Sequence, residues 1–306
     1  MTIYILKRLL SLIPVMFLLS ILVFALLQFA PGDPAMVIAG EDATIEDIEL
    51  IRAKFGLDKP ILTQYAIWLK GVLQGDLGRS NVTRRPVLDE IRDRAGPTIE
   101  LATTSIILAT AIGVAIGVIS ATKHNTLVDR TSMVSALFGV STPTFWLGLM
   151  LIYLFGVRLL WLPTGGIGSF KALILPSITL AAASLAIIAR MTRSSMLDVL
   201  KQDYVRAARA KGVRESNVIF RHSLKNAFIP VITVIGLQYG YLLAGAVVTE
   251  TIFSRPGLGR MLLDAINSRD FPVVQGTILV LSISFVLVNL IVDVCYVYLD
   301  PRIQYT

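Results

Sequence analysis

Six uncharged or nearly uncharged apolar runs, each long enough to cross about 30 Å of hydrocarbon as a helix, constrain this chain more than any other feature. They are Leu9–Ala30, Thr98–Ala121, Ser132–Val157, Leu173–Ala189, Phe228–Val248 and Val274–Leu299. Charged residues make up 16% of the 306 and hydrophobic ones 55%, where soluble domains carry roughly 25% charge. The missing charge is missing from these runs, so the chain reads as an all-α integral membrane protein with six transmembrane helices. The fourth run is the shortest, and a shallow or tilted helix is an alternative there. The first follows Lys7 and Arg8, yet it outlasts the roughly 7–15 residues of a signal h-region, so an uncleaved helix is expected.

Orientation follows from Lys and Arg in the short loops. An inside N-terminus gathers Lys7, Arg8, Lys123, Arg130, Arg302 and the basic loop 190–227 on the cytoplasmic side, a ratio of roughly 14 to 5. Both termini are then cytoplasmic. The net charge of +7 serves this asymmetry and anionic lipid, not nucleic acid, for no basic face is interleaved with aromatics. The chain divides into an N-terminal helix (1–30), an extracytoplasmic loop (31–97), a five-helix core (98–299) containing the loop 190–227, and a cytoplasmic tail (300–306). Within 31–97, Thr44 precedes a helical repeat of Ile48, Ile51 and Phe55 that Gly56 ends. Leu62 to Leu73, with Tyr65 and Trp68, suits a helix at the outer interface.

Small residues at four-residue spacing, Gly113 with Gly117 and Gly236 with Gly240 and Ala244, mark packing faces, as does Ala181–Ser184. Pro143 must disturb the third run, and Ser141, Thr142 and Pro143 are candidate pathway residues there, with Gln238 and Tyr239 in the fifth. Catalytic chemistry has little support. The two histidines are far apart, the single Cys295 excludes a disulfide framework, and no HExxH or GxxxxGK[ST] occurs. The chain therefore binds no ATP by a P-loop of its own. Glu100, Glu250 and Asp293 lie near span ends, with Asp293 read as the partner of an inner-face arginine. An ion-gradient-driven secondary transporter, which usually places ionisable groups deep in the membrane, is the alternative function.

The longest loop between spans is the informative one. Asp203–Ala210 reads as a short basic helix, Gly212 as its left-handed terminator, and Ser216 as a cap for the next helix. Such an element, tethered at both ends, suits docking into a groove on a partner. This loop resembles the coupling segment (the EAA loop) of ABC importer permeases, matching at Ala207, Ala208 and Gly212. It departs at Arg206, where that motif has Glu, and at His222, Leu224 and Lys225, where it has I-x-L-P. Those departures follow the peptide-permease branch. An ordered set extends the resemblance over nearly the whole chain: Pro31-Gly32-Asp33-Pro34, Gly75-Asp76-Leu77-Gly78, Thr144-Phe145-Trp146-Leu147-Gly148, Pro256-Gly257-Leu258-Gly259-Arg260 and Asp300-Pro301-Arg302. The chain is similar to the first membrane subunit of the dipeptide, oligopeptide, nickel and glutathione permeases, leaning slightly to the glutathione members.

The resemblance implies a type I ABC importer permease fold and a place in the bacterial inner membrane. It implies a subunit that forms half of a pathway for di- or oligopeptides, with glutathione among the options. The implied partners are a second permease, two cytoplasmic ATPases that hold ATP and Mg, and an extracytoplasmic substrate-binding protein. No cofactor is expected on this chain. The implied coupling residues are Asp203, Tyr204, Arg206, Ala207, Ala208, Lys211, Gly212 and Glu215.

Overall fold

The computed structural model describes residues 2–29, 35–36, 43–54 and 56–299. Pro31–Pro34, Phe55 and the tail 300–306 lie outside the described residues. In chain order the helices are α1 (Thr2–Phe29), α2 (Ile45–Lys54), α3 (Ile61–Leu73), α4 (Val87–Thr122), α5 (Leu127–Ser141), α6 (Thr144–Arg158), α7 (Phe170–Leu200), α8 (Asp203–Ala210), α9 (Glu215–Gly245), α10 (Val247–Ile252), α11 (Leu258–Asn267) and α12 (Phe271–Leu299). Among the described residues the only β pairing is one bridge, Arg79 to Pro86.

Five of these, α1, α4, α7, α9 and α12, are long and apolar enough to cross a membrane, and six are reached if the sharply bent pair α5 and α6 is one span. Two expected boundaries are corrected, and one expected break is found. The third run is disturbed at Pro143 as expected: Thr142, extended because proline follows it, breaks the chain, and α5 and α6 meet at 101°. The fourth is not short but a 31-residue helix, the most enclosed of the spans, packed against α4, α5, α6 and α9. The second begins at Val87, well before Thr98, and runs through Pro97 without stopping.

The small residues do the packing expected of them. A Cβ on Gly117 would lie 2.7 Å from the Ala189 carbonyl oxygen, so α4 and α7 touch backbone to backbone. Gly236 and Gly240 instead receive the side chains of Val292 and Phe285 of α12. In lipid no hydrophobic force pulls helices together, so this close approach is the main source of attraction. Leu101, Ala109, Ile188, Val231 and Leu242 fill the centre. Arg8 of α1 pairs with Asp293 of α12 at 2.9 Å, the ion pair read from the sequence.

The Val87 end of α4 is locked by polar groups. Val87 and Ile91 pack with Leu258, Met261 and Val273. Asp270 accepts hydrogen bonds from the Ser80 hydroxyl and, at 3.0 Å, from the Asn81 N–H. Buried Glu250 accepts from the Thr98 hydroxyl (2.6 Å) and the Arg260 N–H (3.0 Å), and buried Arg255 reaches Glu100 at 2.8 Å. Both acids near span ends are thus occupied in holding this end together. Helix α2 starts after Thr44, and Gly56, with φ +65°, follows its end. Helix α3 spends its aromatic face on α1, with Tyr65 and Trp68 rings 5.4 and 5.8 Å from Phe24.

Candidate functional site

The helix α8 stands at the Thr122 end of α4, the far end from the Glu250 lock. Gln202 enters it in an extended conformation, Asp203 puts an acid in its first turn and Arg209 a base in its last, both favourable to the helix dipole. Its exit is a glycine terminator. Gly212 sits at φ +73°, the Gly212 N–H donates to Arg209 O at 3.0 Å, and the Val213 N–H to Ala208 O at 3.2 Å. This pair of reversed bonds satisfies carbonyls that a helix end otherwise leaves open. The Arg209 guanidinium then clasps Glu215 across the turn, at 3.1 Å from Nε and 2.7 Å from Nη2. Ser216 is not the expected cap. Arg214 occupies the N-cap position, with no side-chain cap bond.

What anchors α8 is Val205, fully buried among Val118 of α4, Met196 and Val199 of α7, and Val218 and Ala227 of α9. One short helix is therefore seated on three long ones. Ala208 and Val213 pack partly against the same cluster, so Ala208 is turned towards the chain's own core, while Ala207 is exposed. Tyr204 accepts a hydrogen bond from the Asn226 amide at 2.7 Å. Arg206 donates to Lys201 O at 3.0 Å and lies 3.5 Å from Asp203. The outward face is Asp203, Arg206, Ala207, Ala210 and Lys211. Sequence reasoning missed Val205 and Arg209. A single strongly apolar residue in an otherwise polar helix was the available signal for Val205.

The proposed pathway residues separate. Ser141, Thr142 and Pro143 form the break between α5 and α6, with the Thr142 hydroxyl donating back to Phe138 O at 2.7 Å. Gln238 lies on a groove of about 360 Å³ between α7 and α9, where Ser184 donates to its carbonyl oxygen at 3.0 Å. Tyr239 points the other way, into the core, 3.0 Å from the Thr103 hydroxyl of α4. Thr144, Ser184 and Tyr241 line the groove instead; Tyr241 and Gly245 continue the stripe from Gln238 at helical spacing. Among the described residues no three of His, Cys, Asp and Glu gather as a metal site.

Residues 113–305 match the family described as binding-protein-dependent transport system inner membrane component, and residues 1–102 match the family covering its N-terminal part. The chain belongs to this family. The glutathione transport system permease proteins GsiC of Escherichia coli (strain K12) and Shigella dysenteriae serotype 1 (strain Sd197) are each 50% identical to it over 302 residues, 99% of this chain and of each relative. The crystal structure of an amino acid ABC transporter with histidines contains a similar chain, at TM-score 0.50 and 14% identity, covering 70% of this chain and 94% of that one. That identity speaks for the fold alone. As an inner-membrane component of a binding-protein-dependent system, the chain is an ABC importer permease subunit, and nothing supports the ion-gradient alternative.

Proposed function

We propose that this permease forms half of a pathway that brings glutathione or other short peptides across the bacterial inner membrane, with both termini in the cytoplasm. The observation that carries the cargo is the 50% identity, over 99% of both chains, with permeases named for glutathione transport. Orientation rests on the Lys and Arg asymmetry. In this reading a second, similar permease faces the α7–α9 groove, and an extracytoplasmic binding protein delivers cargo at the Glu250 end. Two cytoplasmic ATPases hold ATP and Mg, and each receives a coupling helix.

Helix α8 is this chain's coupling element. Asp203, Arg206, Ala207 and Lys211 meet the ATPase; Tyr204, Ala208 and Glu215 hold the helix in place; Gly212 ends it. The seat of Val205 against α4, α7 and α9 supports such a role, because a push on α8 reaches three spans at once. ATP binding draws the coupling helices together and turns the pathway outward by alternating access. In the groove, Ser184 occupies the Gln238 carbonyl and leaves the amide N–H groups free for a peptide carbonyl.

The test is uptake of radiolabelled glutathione by vesicles holding both permeases and the ATPases, with the binding protein outside. Uptake is expected to require ATP and the binding protein and to survive collapse of ion gradients. Uptake driven by a gradient without ATP overturns the mechanism. Failure to carry glutathione while another peptide is carried overturns the cargo.

A further inference from the structure

One sizeable cavity belongs to neither the coupling helix nor the groove. It has a volume of about 660 Å³ and lies between α5 and α7, near their ends beside the Thr122 end of α4. Its wall is apolar, formed by Met133, Leu137 and Ala186 among others, and its rim carries Arg130, Arg190 and Arg193. The three arginines are not equivalent. Arg193 is bound to Asp129 by two bonds of 2.7 Å, from Nε and Nη2, and Asp129 also accepts from the Ser120 hydroxyl and, at 3.0 Å, from the Asn125 N–H. His124 closes that cluster, its Nδ1 3.3 Å from Asp129. Asp129 is buried and its charge is cancelled by Arg193, so this pair pins the first turn of α5 to α7 and sets the width of the cavity.

Arg130 and Arg190 have no such partner. Both are exposed, and among the described residues no acid forms an ion pair with either. The cavity therefore presents two uncompensated cations at its mouth and an apolar wall behind them. Val134 and Leu137 of that wall are exposed, and α5 continues with exposed Phe138. A soluble anion has no use for that wall, and an acyl chain has no use for two arginines. A molecule with both parts matches the cavity, and in a membrane that molecule is an anionic phospholipid.

We propose that the cavity between α5 and α7 is a binding site for an anionic phospholipid, its phosphate held by Arg130 and Arg190 and an acyl chain laid along Met133, Leu137 and Ala186. This goes beyond the transport reading and does not depend on the cargo. Because Arg190 and Arg193 belong to the same helix as the groove residue Ser184, a lipid here braces against α5 the helix that carries the groove.

The experiment uses the assembled transporter in nanodiscs of phosphatidylethanolamine and phosphatidylglycerol, followed by detergent extraction and mass spectrometry of the lipid retained. Wild type is expected to retain phosphatidylglycerol well above its share of the disc. The Arg130→Gln/Arg190→Gln double variant is expected to lose that enrichment by roughly thirtyfold, the scale for removing two cations near a membrane surface. Arg221→Gln, which removes an exposed charge elsewhere, should leave it unchanged. Leu137→Trp fills the apolar wall with both arginines intact and should also lose the lipid, which keeps the test decisive if the double variant fails to assemble. Three results overturn the proposal. One is wild type without enrichment, as when a neighbouring subunit covers the cavity. Another is an equal loss in Arg221→Gln. The last is retention by Leu137→Trp combined with displacement by inorganic phosphate, which marks a site for the free ion.

Discussion

Gly212 holds φ +73° in open space, with no atom within 4 Å of where a Cβ would sit. A substitution there is resisted by backbone conformation alone, since left-handed geometry costs an ordinary L-residue about 1–2 kcal/mol. β-Branched residues resist it most, whereas asparagine tolerates it. Gly212→Val is therefore expected to undo the two reversed bonds to Ala208 and Arg209 and to uncouple uptake from ATP hydrolysis, with hydrolysis continuing. Gly212→Asn, larger than glycine but at home in this conformation, should keep most of the uptake. Parallel measurement of uptake and hydrolysis separates the two, and equal loss in both variants would mean that size, not conformation, matters at this turn. The glycine was legible because a helix followed by Lys-Gly-Val has one common way to end. The inward turn of Ala208 was not. Two adjacent alanines look alike in sequence, and only the seat of Val205 decides which of them faces the core. Tyr239 beside Gln238 is the same case: neighbours on a helix point about 100° apart, and polarity does not say which one meets the groove.

Elements were legible where apolar runs and helices coincide, and misjudged where a charge interrupts the run without interrupting the helix. Counting hydrophobics stops the fourth span before Arg190, but α7 goes on to Leu200 because Arg193 finds Asp129 and Met196 finds Val205. Pro143 shows the converse. The run of apolar residues continues through it, yet the residue before a proline avoids helical geometry, so the helix breaks. Packing between elements was readable from small residues, and that gives a stability prediction. Gly117→Ala drives a methyl group towards the Ala189 carbonyl and the Thr192 side chain of a tightly enclosed helix. Overpacking of this kind costs about 1–3 kcal/mol, so the melting temperature of the purified permease should fall. Gly245→Ala is the matched control, since its nearest neighbour is 4.0 Å away and alanine favours a helix. Its melting temperature should hold or rise. A similar fall in both would show that the α4–α7 contact is looser than this geometry.

At the scale of the whole molecule, α4 is the ruler. Its 36 residues span about 54 Å, well beyond the roughly 30 Å of a hydrocarbon core. Its charges, from Asp89 to Glu100, sit at the Val87 end, so the excess length projects there, and each end carries its own structure. The Val87 end meets α11 and the Asp270 and Glu250 locks, while the Thr122 end meets α8. A helix uncharged from Leu101 to Thr122 puts those two assemblies on opposite sides, and the proposed orientation puts α8 in the cytoplasm. Single cysteines test this directly. Asn217 is exposed beyond α8 and is a suitable site at that end. At the other end Asn81 is a poor choice, being half-buried with its N–H on Asp270, whereas Val82 is 60% exposed. With a membrane-impermeant maleimide applied to intact spheroplasts, Val82→Cys should label and Asn217→Cys should not. In inverted vesicles the pattern should reverse. Labelling of both from one side would mean that α4 does not cross, and the coupling role of α8 would fall with it. The opposite pattern, Asn217→Cys labelled from outside, would keep the fold but place α8 beyond the reach of a cytoplasmic ATPase.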